Sequence, residues 1–273
     1  MTDKVALAYL LRSVNARYVE VFYGDERISE ATGFVVEHEE RLFLISNRHV
    51  LAGMKPGSME LVDKAGRQAT SVRITSYVAT ESSSATVCQD FPLIAPSTAG
   101  GYPSALWFEH PTYGNTVDVA ALELTDLQAP DYALQDETVA NDESSMYPIR
   151  QLDTMTVIGY PGGVHGGVRG KAVWMKGTVA SDYADEVDGL PRFLIDSRTR
   201  AGMSGSPVYF SAAGRSAVVS EGILSIADPD AFQFVGVYSG RIFDESDVGY
   251  VWRAKTMWEI VVGEVLGQAY QPI

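Results

Sequence analysis

The sequence predicts an all-β fold, and three observations carry that expectation. Apolar runs of strand length recur along the chain, separated by Gly, Asp, Asn and Ser. Helical periodicity is confined to the two ends. Between residues 126 and 147 the chain turns acidic and rich in turn formers, which divides the strand-like segments into two groups as a linker between two barrel lobes does. With 273 residues, one large β unit and two fused lobes both fit the length.

The elements follow in order. Leu7, Leu10, Leu11 and Val14 fall at helical spacing, so residues 3–16 read as a short amphipathic helix packed on the body. Residues 18–23 alternate as a strand, Gly24-Asp25 turns, and strands over 31–37 and 41–46 flank a polar turn in which His38 is expected in solvent. The second of these runs straight into Ser46-Asn47-Arg48-His49-Val50, which places a histidine at a strand end. Residues 76–115 are rich in Ser, Thr, Ala, Gly and Pro and read largely as loop, with Trp107, Phe108 and His110 packed on the body or available for substrate contacts. Asp118 lies inside the apolar run 116–122. Past the acidic stretch, residues 155–159, 173–180, 192–196, 208–210, 218–226 and 234–238 read as strands, and Trp258, Val261, Val262 and Val265 as a C-terminal helix. The expected boundaries are a first lobe over 17–125, a second over 150–251 and a helix over 252–267.

Charge narrows the function. Against 21 basic side chains stand 35 acidic ones, a formal charge of -14, which repels nucleic-acid phosphates and anionic membranes. The glycine-dense turn from Tyr160 to Gly167 lacks the Gly-Lys-Ser/Thr ending and the following helix of a phosphate loop, and His165 within it is expected to be exposed. Four histidines without Cys or acidic partners at ligand spacing predict no metal site, and no cofactor is expected. The single cysteine, Cys88, excludes an intrachain disulfide and is read as a loop or partly buried thiol. With no signal-peptide pattern and no run of the ~18 apolar residues a membrane helix needs, the expectation is a soluble cytoplasmic protein.

The candidate site centres on Gly202-Met203-Ser204-Gly205-Ser206-Pro207. A serine between glycines sits where the backbone turns sharply, with the amides of Gly202 and Ser204 free to converge on a developing oxyanion. The same six residues also fit a plain turn leading into a strand. His49 and Asp118 decide between the two: a serine hydroxyl needs a base, an imidazole titrates in the useful range, and a buried carboxylate fixes its tautomer.

In the order His49, Asp118, Ser204 the sequence resembles the trypsin-like (chymotrypsin-fold) serine peptidases, and among them the bacterial non-zymogen domains related to the HtrA proteases. The resemblance is carried by Thr32-Gly33-Phe34-Val35-Val36, Ser46 to Val50, Asp118-Val119-Ala120-Ala121-Leu122, Val157-Ile158-Gly159-Tyr160-Pro161-Gly162, Gly202 to Pro207, and Val235-Gly236-Val237-Tyr238-Ser239-Gly240. It implies a two-lobed double β-barrel closed by a C-terminal helix, a short helical turn after His49, and a serine endopeptidase acting on protein or peptide substrates. It also implies that Ser239 lies near Asp118 and the substrate backbone. By the same resemblance, Arg198 and Thr199 stand at the base of the primary specificity pocket, and Tyr238, Gly240 and Arg241 lie in its wall. A pocket for Lys or Arg needs a carboxylate at its base, and here an arginine stands there. If Arg198 or Arg241 points inward, acidic side chains are expected before the scissile bond; if both turn outward, small or medium uncharged ones.

The zymogen-activated branch carries an aspartate before the nucleophile, where this chain has Met203, and no Ile-Val-Gly-Gly precedes the first strand. The site is therefore expected to form without propeptide cleavage or to be switched by an activating partner protein. Two other readings compete: a catalytically silent protease-fold binding module, and a GxSxG esterase. The esterase requires the nucleophile first in chain order, the reverse of the order here.

Overall fold

The computed structural model describes residues 15–79, 84–96, 102–128, 134–135, 148–167, 170–211, 216–218, 224–226 and 232–271. The helix expected over 3–16 lies outside the described residues except for Asn15 and Ala16, and Ala16 already opens a strand. The fold is all-β and two-lobed.

The first lobe opens with three antiparallel strands, β1 (Ala16–Tyr23), β2 (Glu26–His38) and β3 (Arg41–Ser46). Their alternation sends Val19, Val21, Val35 and Leu44 into one core. The β2–β3 turn is Glu39-Glu40, both at positive φ (48° and 63°), a tight hairpin geometry held here by non-glycine residues. A single helical turn, α1 (Arg48–Leu51), follows β3. The region 76–115 is not largely loop. It holds the long hairpin β4 (Ser71–Ala79) and β5 (Ser84–Pro92), then β6 (Ile94–Ala95), β7 (Ser104–Ala105) and β8 (Trp107–Glu109). Thr and Val suit a pleated surface as well as any residue, and pairing of β4 with β1 supplied what local composition concealed. β9 (Ala120–Glu123) pairs with β3, and β10 (Leu134–Gln135) runs parallel to β2.

The second lobe is a closed barrel. β11 (Thr154–Gly159), β12 (Val173–Val179), β13 (Arg192–Ser197) and β14 (Pro207–Ser211) match expectation closely. The run 218–226 is not one strand: β15 (Ser216–Val218) and β16 (Leu224–Ile226) pair with each other. β17 (Phe232–Arg241) and β18 (Val248–Arg253) complete the ring in the order β11-β12-β13-β18-β17-β14. The C-terminal helix α2 (Ala254–Gly263) is shorter than expected, ending where Glu264 turns left-handed (φ 45°). The chain then returns to the first lobe as β19 (Val265–Leu266), paired with β8 in a sheet ordered β19-β8-β9-β3-β2-β1-β4-β5.

A shared core joins the lobes: Phe34, Phe43 and Phe108 meet Tyr160, Phe234, Trp252, Met257 and Ile260. Each such buried side chain contributes about 1.5–3 kcal/mol, which fixes the seam along which the site lies. Among the described residues no helix is long and apolar enough to cross a membrane.

Candidate active site

β3 ends at Ser46 and the chain turns at once into α1, which presents His49 at the seam. The Asn47 carbonyl accepts the amides of Val50 and Leu51, both at 3.1 Å, while its side chain donates to the Asp118 carbonyl at 2.7 Å. Asp118 sits just before β9, 3% exposed. Its Oδ1 accepts the His49 amide at 2.9 Å and its Oδ2 lies 2.7 Å from His49 Nδ1. A β-bulge between Tyr238 and Arg241 lets Ser239 reach across the seam, where its hydroxyl donates to the same Oδ2 at 2.5 Å. A carboxylate so held fixes the proton on Nδ1 and leaves Nε2 as the basic nitrogen. Burial alone pushes the imidazole pKa down, but the charge and hydrogen bond of Asp118 outweigh it, so His49 stands above its ordinary value.

Ser204 is half-buried at the tip of the turn before β14, between Gly202 (φ 86°) and Gly205 (φ 84°). Neither glycine has room for a side chain, since a Cβ would fall 2.4 Å from the Tyr160 carbonyl at Gly202 and 2.1 Å from that of Thr32 at Gly205. The amides of Met203, Gly205 and Ser206 donate to Arg200, Tyr238 and Met203 carbonyls. Those of Gly202 and Ser204 have no acceptor among the described residues. The carbonyls across their peptide planes are already engaged, Ala201 by the Gly162 amide at 2.6 Å and Met203 by the Ser206 amide at 3.0 Å. In a trans peptide that turns both free N–H groups the other way. Ser204 Oγ makes no hydrogen bond to His49 among the described residues. Met203 is fully buried in the barrel core beside Val157 and Phe193.

The residues assigned to the specificity pocket divide. Arg198 is 83% exposed and turns toward Asp247 at 3.8 Å, so it supplies no charge to a pocket base. Thr199 is fully buried and its hydroxyl is hydrogen-bonded to that of Tyr238, itself 1% exposed. Arg241 is half-buried beyond the bulge, and Gly240 within it has φ 103°.

Thr32, which the sequence marks only as the opening of a matched strand block, joins the two lobes at the site. Its hydroxyl donates to the Gly202 carbonyl and accepts the Tyr160 amide, its own amide donates to the Ser204 carbonyl at 2.9 Å, and its carbonyl accepts the Ser46 hydroxyl at 2.7 Å. The one signal available was its place beside Gly33 at the start of a strand. The other histidines are structural: His110 is buried and bonded to Glu259 at 2.9 Å, and His165 is exposed with its ring on Tyr18 and Tyr160. His38 is not free in solvent but half-buried against Trp258. Cys88 is neither loop nor buried; it lies exposed on β5 opposite Thr75. A surface concavity between residues 59–66, 102–105 and 266–271 includes none of His49, Asp118 or Ser204. Among the described residues no cluster of ligands could hold a metal ion.

A family model of the trypsin-like peptidase domain matches residues 31–219, more than half the chain and all three of His49, Asp118 and Ser204. The chain belongs to the trypsin-like peptidases. Solved structures similar to this trypsin-like peptidase include the active form of the Rv3671c protease of M. tuberculosis, at 19% identity over 97% of this chain and 86% of that one, with a TM-score of 0.49. A serine endoprotease from Yersinia pestis matches at 11% identity over 95% of this chain and 65% of that one, with a TM-score of 0.50. The protease Anisep from Arthrobacter nicotinovorans matches at 15% identity over 92% and 97%, with a TM-score of 0.49. A search of curated proteins found no match.

Proposed function

We propose that this trypsin-like peptidase is a serine endopeptidase that hydrolyses protein peptide bonds through an acyl-enzyme. The observation that carries the reading is the two-point bond from His49 to the buried Asp118, through its backbone amide and Nδ1. Ser204 is the nucleophile. His49 Nε2 takes the hydroxyl proton as Oγ attacks the carbonyl carbon, and Asp118 stabilises the imidazolium that forms. The amides of Gly202 and Ser204 hold the oxyanion, and the imidazolium then protonates the leaving amine; water repeats the sequence to release the acid. Met203, apolar and buried, cannot pair with an ammonium group, so the site does not depend on a cleaved N-terminus. We also place the protein in the cytoplasm, on the strength of its single cysteine.

Labelling with a fluorophosphonate probe, read by intact mass, tests this. One adduct, abolished by Ser204→Ala, is expected; folded protein that takes no label would sink the reading. One observation favours the second reading, a silent or partner-switched binding module: Ser204 Oγ is not hydrogen-bonded to His49. Such contacts commonly tighten only with substrate bound, which is why the peptidase is preferred.

A further inference from the structure

Three consecutive residues tie the α1 turn to the rest of the first lobe, two of them to Asp118 itself. Asn47 binds the Asp118 carbonyl and His49 its carboxylate. Between them the fully buried Arg48 reaches Glu109 of β8, with Nε 2.8 Å from Oε1. Arg48 Nη1 also donates to the carbonyls of Lys55 and Ser58 at 3.2 and 3.4 Å. The same Glu109 oxygen accepts Trp107 Nε1 at 3.0 Å, and the Gly267 amide, just past β19, donates to the Trp107 carbonyl at 2.9 Å.

As a stabilising device this pair is poor. Desolvation of two buried ions cancels most of their attraction, and apolar residues of similar shape commonly hold a core as well or better. Arg48 Nη2 adds to the cost, being buried without a partner among the described residues. What an ion pair offers that Met and Leu do not is direction. A planar guanidinium bonded to a carboxylate and two carbonyls admits few orientations of its own backbone, and hence of the next residue.

We propose that Arg48 and Glu109 are positioning residues for His49: the buried pair sets the α1 turn so that amide and ring meet the two Asp118 oxygens together. The inference rests on His49 being the base of the peptidase reaction. Asp118 is the carboxylate that faces His49, with the Ser239 hydroxyl on the same oxygen; Arg48 and Glu109 act from the adjoining turn and strand.

The double variant Arg48→Met/Glu109→Leu removes both charges at once, leaving the local net charge unchanged and the volume filled. With a cooperative unfolding transition retained, kcat is expected to fall about tenfold with KM within about twofold, as loss of orientation predicts. In the inactive Ser204→Ala background, the His49 pKa followed by NMR is expected to drop, because the ring no longer holds Asp118 at bonding distance. Glu109→Gln, a smaller change, provides the same two readings should the double variant fold poorly. Folded variants with unaltered kcat and an unaltered His49 titration would overturn the proposal. The titration needs no turnover, so it separates failure of this idea from failure of the peptidase reading, which fluorophosphonate labelling addresses.

Discussion

The Thr32 hydroxyl of the first lobe donates to the Gly202 carbonyl of the second at 2.7 Å and accepts the Tyr160 amide at 3.0 Å. The turn that carries Ser204 and the proposed oxyanion donors is thereby tied to a strand of the other lobe. Thr32→Val removes both bonds at nearly constant shape. Leaving buried polar groups unpaired costs about 1–3 kcal/mol, so kcat/KM is expected to fall roughly 5- to 150-fold, with slower fluorophosphonate labelling. Wild-type labelling rates in this variant would show that the tie does not shape the hole.

Residues that act as one unit have losses that do not add. His49→Ala and Ser204→Ala are each expected to abolish nearly all turnover while folding normally, and the double variant to be no worse than either. Steady-state rates on a peptide substrate check this. A double variant far below both singles would mean that the two side chains work independently.

The His49 pKa lies above the ordinary 6.5 because Asp118 outweighs burial. Turnover needs the neutral ring, so kcat/KM should climb as pH rises through that raised value. Stability runs the other way: a raised folded pKa contributes stability that is complete below the unfolded value and lost as pH rises through the folded one. Asp118→Asn leaves burial unopposed, so the acid limb should move to lower pH while kcat falls about 10⁴-fold. A limb that stays in place would remove Asp118 from the base.

The proposed specificity pocket centres on Thr199 and Tyr238. Their buried hydroxyls are joined, the Tyr238 ring abuts Gly249, and Arg198 points to solvent, so a floor built on them carries no charge of its own, while the half-buried Arg241 stands near enough for its charge to act on Tyr238. Small or medium uncharged residues are expected before the scissile bond if Arg241 turns outward as Arg198 does, acidic ones if it turns inward, and Tyr238→Ala should admit larger ones. Profiling on a proteome-derived peptide library checks both. Cuts dominated by Lys or Arg would place the pocket elsewhere.

Much of the architecture was legible because burial writes itself into sequence with a period of two. β3, β11, β13 and β14 carry alternating or continuous apolar runs and stand where those runs predict them. β4 and β5 are hidden in the sequence because Ser, Thr and Gln dilute their pattern, and only pairing of β4 with β1 and of β5 with β4 makes them strands. The helical spacing through Val265 ran past the true end of α2, since what stops that helix is the left-handed Glu264 and the pull of β19 onto β8, a partner remote in the chain.

The sequence by itself determined which groups the candidate site offers: a histidine at a strand end, an aspartate inside an apolar run, and a serine between two glycines. These rest on local chemistry, on backbone freedom at Gly202 and Gly205 and on the proton affinity of an imidazole. Tertiary structure alone decided which atoms meet. Asp118 receives donors from His49 and Ser239, and Thr32 holds Gly202 across 170 residues of chain. Arg198, equally prominent as a residue type, was left in solvent beside Asp247. Whether a charged side chain faces a pocket or water depends on the desolvation cost and partners at its final position, and those exist only once the strands of the second barrel have closed and brought Asp247 beside Arg198.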